Sequence, residues 1–167
     1  MSATYEPIAT QTLNSNTSSI DFTSIPSTYT DLVLVMRLGF AGSYNNGFRM
    51  RFNSDSGANY SMTELAGTGS TTRGYRLSNQ TSAWVSFDYG VGQYVYSGAF
   101  TVNIGNYINS STYKTAVTRG GNIATASFIN TNLWRSTSAI TSITILGDTG
   151  ATLLSGSIFT LYGIKAE

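Results

Sequence analysis

Phe48 to Ser61 reads FRMRFNSDSGANYS, and two rhythms meet in it. In its first half Phe48, Met50 and Phe52 alternate with Arg49, Arg51 and Asn53, the period-two pattern of a strand with one face on a core. In its second half Asn53, Asp55 and Asn59 space oxygen-bearing side chains around Gly57, as some calcium loops do. The first rhythm bears on the fold, the second on whether the chain does chemistry.

The strand rhythm extends in both directions. Before Phe48, Asn46-Gly47 offers positive-φ turn positions. Asp31 to Leu38 (DLVLVMRL) is apolar on nearly every residue but its ends, which predicts a central strand covered on both faces. Thr4–Leu13, Ser19–Phe22, Tyr60–Leu65, Gly74–Leu77, Ala83–Tyr89, Ala99–Ile104, Tyr113–Thr118, Ala124–Ile129, Ser142–Leu146 and Ser157–Ile164 read as further short strands. Gly67–Thr72 (GTGSTT) and Val91–Tyr94 read as loops. Trp134–Ile140 is expected to form one helical turn, with a serine placed to cap it. Many short strands with little helix need two packed sheets. The expectation is an all-β, single-domain antiparallel sandwich, a jelly roll being the leading arrangement, with residues 1–13 as an arm or edge strand and 14–167 as the sandwich.

Composition narrows the function classes. Of 167 residues only 10% are charged, against about 25% in an ordinary domain, while 11 Tyr, 8 Phe and 2 Trp supply a core at a net charge of +1. A near-neutral surface of hydroxyls and amides gives little repulsion between packed copies. The two Lys and seven Arg are scattered, which argues against direct nucleic-acid binding. Without Cys or His, thiolate chemistry, disulfides and the commonest general base and transition-metal ligand are excluded. No signal-like segment opens the chain, so secretion by the usual route is not expected, and no apolar run approaches membrane-spanning length. Asn16-Thr17-Ser18 and three similar triplets fit the glycosylation formula by chance of composition.

Site candidates are few. Eight carboxylates exist: Glu6, Asp21, Asp31, Asp55, Glu64, Asp88, Asp148 and Glu167. Asp55 and Glu64 meet only if their strands pair suitably, and a glycosidase needs two opposed acids. No G-x-S-x-G elbow or phosphate loop is present. No catalytic residue, cofactor or firm metal site is assigned, and the chain is expected not to be an enzyme. Asn53, Asp55 and Asn59 form the calcium candidate, against which stands a hairpin turn in which Asp55 bonds the backbone ahead and Gly57 takes a positive φ. Tyr94, Tyr96, Tyr107 and Tyr113 are candidates for a sugar platform. The competing reading buries their rings in the core or at subunit contacts.

Four stretches resemble a family. Ile25–Val35 (IPSTYTDLVLV), Arg51–Ser61 (RFNSDSGANYS), Trp134–Ile143 (WRSTSAITSI) and Phe159–Ile164 (FTLYGI), in this order and spacing, are similar to small structural proteins of tailed bacteriophages. The middle, Thr68–Gly121, carries no matching motif. The resemblance implies a β-sandwich virion protein, either a capsid decoration (cement) protein or part of a tail fibre or receptor-binding tip, and carries over no catalytic residue. The leading expectation is a decoration protein made in the host cytoplasm and placed on the capsid surface. It would associate with itself as a homotrimer and with the major capsid protein, without membrane or direct nucleic-acid contact. Tyr5 and Ile8 in the N-terminal arm are its candidate contact residues. A chain running from Met1 to Glu167 with no attached domain is expected to stand alone. The alternative is a tail-fibre or receptor-binding module that recognises host surface glycan, and a depolymerase ranks third.

Overall fold

A computed structural model describes residues 4–41, 47–87, 96–121 and 126–165. Among them are thirteen strands and no helix: β1 (Tyr5–Thr12), β2 (Ser19–Phe22), β3 (Asp31–Ala41), β4 (Phe48–Phe52), β5 (Tyr60–Gly67), β6 (Thr72–Gln80), β7 (Ala83–Ser86), β8 (Tyr96–Ile104), β9 (Lys114–Gly121), β10 (Ser127–Trp134), β11 (Ile143–Gly147), β12 (Thr152–Leu153) and β13 (Ile158–Ile164). The large sheet runs β1-β13-β3-β8-β9-β10-β5-β6, with β12 on β3, and the small sheet runs β2-β11-β4-β7. Every pairing between these strands is antiparallel. The chain is thus an all-β, two-sheet sandwich of jelly-roll-like form, crossing from one sheet to the other along β1 to β5.

The alternation in Phe48–Phe52 does what its pattern predicts. Phe48, Met50 and Phe52 are buried, while Arg49 and Arg51 face outward on β4. Phe48 meets Phe100 of the facing sheet edge to face, with ring centroids 5.6 Å apart. Leu32, Leu34, Met36 and Leu38 of β3 join the same core.

The central strand departs from expectation. β3 lies between β13 and β8, but in this chain only its inner face is fully covered. On the outer face Val33 is buried beside its neighbours, whereas Val35 is 42% exposed. Its two-sided apolar pattern therefore exceeds what one copy of the fold requires.

Other expectations are corrected. The residues read as one helical turn, Trp134–Ile140, instead end β10 and continue as irregular chain. That segment's amides bond outside it: Arg135 N donates to Asn59 O at 2.8 Å and Ile140 N to Tyr107 O at 3.0 Å. Gly67–Thr72 tightens into a hairpin, with Thr68 N donating to Thr71 O at 2.9 Å and Gly69 at φ +89°. A side chain at Gly47 would strike Ser86 O at 1.8 Å. Asn46, Asp88, Tyr89, the Val91–Tyr94 loop and Glu167 lie outside the described residues.

Residues 5–12 pair along β13 from Tyr5↔Ile164 to Thr12↔Ile158, with a register shift at Pro7. Ile8 packs against the core, and Tyr5 is 55% exposed. Glu6 pairs with Lys165 at 2.8 Å. The lysine's hydrogen bond holds the Glu6 carboxyl below its ordinary value, and the same bond raises Lys165.

Candidate functional site

The loop after β4 is built by two consecutive left-handed residues. Asn53 (φ 51°) and Ser54 (φ 58°) turn the chain, and Asp55 N donates to Phe52 O at 2.9 Å across them. Asn tolerates this conformation because its side chain bonds locally. Gly57, expected at positive φ, does not adopt it. It is glycine because a Cβ there would lie 2.8 Å from Asn59 Nδ2 and 3.1 Å from Asp55 Oδ1.

The three calcium candidates do not converge. Asn53 Oδ1 accepts from Thr141 N at 2.8 Å and Ser142 N at 3.1 Å, and its Nδ2 donates to Ala139 O at 2.8 Å. Asp55 accepts from Gly57 N at 2.8 Å, Asn59 Nδ2 at 2.9 Å and Trp134 Nε1 at 2.7 Å. Its oxygens thus face donors, and Asn59 presents its amide nitrogen. Partial burial by itself raises the Asp55 carboxyl; the bonds from Trp134, Asn59 and Gly57, with the charge of Arg51, outweigh it and hold the group below 3.8. Trp134 stacks on buried Tyr60 and packs against Phe52, with centroids 6.3 and 5.5 Å away. Burial pushes the Tyr60 hydroxyl up, and that hydroxyl accepts from Phe52 N at 3.1 Å. Two of the phage-like stretches, Arg51–Ser61 and Trp134–Ile143, are therefore folded against each other as one joint.

A second cluster lies between the sheets. Asn130 and Asn132 point inward from β10. Asn132 Oδ1 accepts from Trp84 N and its Nδ2 donates to Trp84 O, both at 2.8 Å, as an adjoining strand would. The Asn132 amide nitrogen also donates to Asn130 Oδ1 at 2.9 Å. Asn130 Nδ2 reaches Val85 O at 3.3 Å and Glu64 Oε2 at 3.4 Å. Glu64 pairs in register with Asn130, whereas Asp55 sits at the Tyr60–Trp134 end of β5. Four residues, about 14 Å of strand, separate those anchors. The Asp55–Glu64 acid pair is not assembled.

The third cluster is Lys114, whose buried ammonium donates to the carbonyls of Asn109, Thr112 and Thr137 at 2.5, 3.0 and 3.1 Å. Burial draws its pKa below the ordinary lysine value. Sequence reading missed this cage, since a lone lysine before a strand carries no spacing signal. Among the described residues no group of three His, Cys, Asp or Glu could hold a metal ion.

Among the described residues the candidate tyrosines form no platform. Tyr107 is fully buried, donating its hydroxyl to Pro26 O, while Tyr113 is 55% exposed. Tyr94 and the side chain of Tyr96 lie outside the described residues.

The outer face of the large sheet differs from these closed clusters. Strand register sets Val35, Thr101, Arg119, Ile129 and Leu65 side by side across β3, β8, β9, β10 and β5. Val35 is 42%, Ile129 48% and Leu65 61% exposed. A hollow of about 440 Å³ opens at one end of this row, between Leu65, Phe128, Ile129 and Thr72.

No family model matches the chain. No curated protein matches it. Among solved structures it is similar to the galectin LEC-6 of Caenorhabditis elegans, at 8% identity and TM-score 0.37, over 90% of this chain and 94% of that one. It is also similar to the alginate lyase Aly36B in complex with an alginate tetrasaccharide, at 12% identity and TM-score 0.32, over 95% and 80% of the two chains. A legume lectin-like domain from Entamoeba histolytica gives 8% identity and TM-score 0.32, over 98% and 91%. Lectins and an enzyme thus stand side by side, and at these values no residue role or activity passes to this chain.

Proposed function

We propose that this chain is a non-catalytic structural protein of a tailed-phage particle, a decoration protein that adheres to the outside of the head and ties neighbouring capsomers together. The observation that carries the reading is the outer row holding Val35, Ile129 and Leu65, aliphatic side chains left open on the face of the large sheet that the chain itself does not cover. Exposed aliphatics set along one row of an uncovered sheet suit adhesion between surfaces. The groups best suited to chemistry are engaged elsewhere. Asp55 holds a loop, Asn132 joins the sheets and Lys114 fastens two segments. The phage-like stretches supply the particle, and the low charge suits dense packing of copies. Tyr5, open on an edge strand, remains the proposed contact between copies in a trimer.

The test is to locate the protein on intact particles by labelled electron microscopy. Many copies over the head are expected. A few copies at the tail tip would instead favour the receptor-binding alternative, and absence from the particle would end both.

A further inference from the structure

The apolar row carries an unbalanced charge. Arg37, Arg119 and Arg76 point to the same outer side, on β3, β9 and β6, and all three are exposed. Within the described residues none of their side chains has a hydrogen bond or an ion pair. No carboxylate shares the rows they occupy. Glu64 turns inward, and Asp31, at the far end of β3, accepts a bond from Asn106 N at 2.6 Å. From β3 to β6 the face spans five strand spacings, about 24 Å, and three outward rows cover about 14 Å along the strands.

We infer that this face, with Ile129 and Leu65 side by side, Val35 at the other end of their row, Arg119 between them and Arg37 and Arg76 in the rows to either side, docks a different protein whose surface sets carboxylates among apolar side chains. The chemistry selects among occupants. A nucleic acid or sulfated polymer needs clustered cations, and single strands also need aromatic platforms; here the row holds no aromatic ring and the arginines stand apart, each on a different strand and row and separated by intervening strands. A second copy placed face to face would oppose arginine to arginine with no acid to meet it. Apolar groups flanked by arginine are what protein interfaces enrich, and guanidinium groups seek carboxylates in paired geometry. The apolar outer side of β3, unexplained by the single chain, then has its cover. The inference rests on the adhesive reading above, and the test separates the two.

The full chain, methyl-labelled for NMR, is titrated with a designed helical hairpin that presents leucines interspersed with glutamates. One twin of the probe carries lysines in place of the glutamates, the other serines in place of the leucines. Saturable shifts at Val35, Ile129 and Leu65 are expected, with affinity for the glutamate-bearing probe at least tenfold above either twin. Ile129→Glu and Leu65→Glu should each weaken binding at least tenfold and Arg119→Glu several-fold, while Ser110→Glu on a distant loop changes nothing. Should a face variant lose its fold, Thr131→Glu, exposed one row away, replaces it. Shifts elsewhere, no saturable binding, or equal affinity for the lysine twin would overturn the inference. Tighter binding of heparin or duplex DNA at this face would overturn it in favour of a polyanion. A dimer dissolved by Ile129→Glu would overturn it in favour of a second copy. Phage heads lacking the protein provide the separate arm. If wild type and Ile129→Glu bind heads equally, the adhesive reading stands and the face is wrong. If wild type fails on heads but binds the probe at the face, the face stands and the adhesive reading is wrong.

Discussion

β10 has two sides with opposite habits. Inward, Phe128, Asn130, Asn132 and Trp134 are all buried, and the two asparagines and the indole hydrogen-bond to the opposite sheet, to Glu64 or to Asp55. Outward, Ser127, Ile129 and Thr131 are exposed, and among the described residues none of them has a side-chain bond. The same strand is saturated on one side and unfilled on the other. Mutations should therefore divide by side: inward changes cost folding, outward changes cost association.

The sharpest way to break that division is Asn132→Ala. It strands the buried N–H and C=O of Trp84 together, at about 1–3 kcal/mol for each group. We expect a total loss of about 3–5 kcal/mol in urea denaturation; less than 1 kcal/mol would mean that the joint between the sheets is not held there. Lys114→Met comes next, removing a charged donor from three carbonyls. A loss of about 2 kcal/mol is expected by the same measurement.

Asp55 gives a pH-dependent version. Its folded pKa is lowered, so its stabilisation is present above the unfolded value near 4 and is lost as pH falls through the folded one. Asp55→Asn should be less stable than wild type at pH 7 by about 1–2 kcal/mol, discounted for partial exposure. The two proteins should converge as pH drops below about 4. A constant gap down to acid unfolding would show that the carboxylate charge does not matter to the joint. The smallest effect is expected outward: Ile129→Thr and Leu65→Ser should stay within about 0.5 kcal/mol of wild type. A larger loss would mean that the outer row already serves the fold.

Where the two habits are separated by simple alternation, the sequence was readable. Phe48–Phe52 and the inner side of β3 announced the sandwich because apolar residues recur at every second position. β10 was half missed, since its inward positions after Phe128 are Asn130 and Asn132. Polar residues bonded across a sheet gap look like turn residues to any rule based on hydrophobicity. β6, TRGYRLSNQ, was read short for a related reason: an edge strand needs few apolar residues. Trp134–Ile140 was misread as helical because capping serines are common in irregular chain, and its amides found partners from Asn53, Asn59 and Tyr107. At the calcium candidate, spacing reports which oxygens are near one another, not that Asp55 would be claimed by an indole from residue 134. The outer face was legible only as an excess, an apolar β3 with one face more than the chain itself can cover.

The pairing of β1 with β13 has a consequence for synthesis. Tyr5–Thr12 must find Ile158–Ile164, a strand far from it along the sequence. At about 5–20 residues per second, the partner leaves the ribosome on the order of ten seconds after β1. Through that interval Ile8 has no finished sheet to lie on, and β3, which also pairs with β13, waits with one edge bare. Completion of the large sheet is thus timed by the emergence of β13 rather than by any local step, and a chain interrupted before it is left with two strands that any neighbouring nascent copy can pair with.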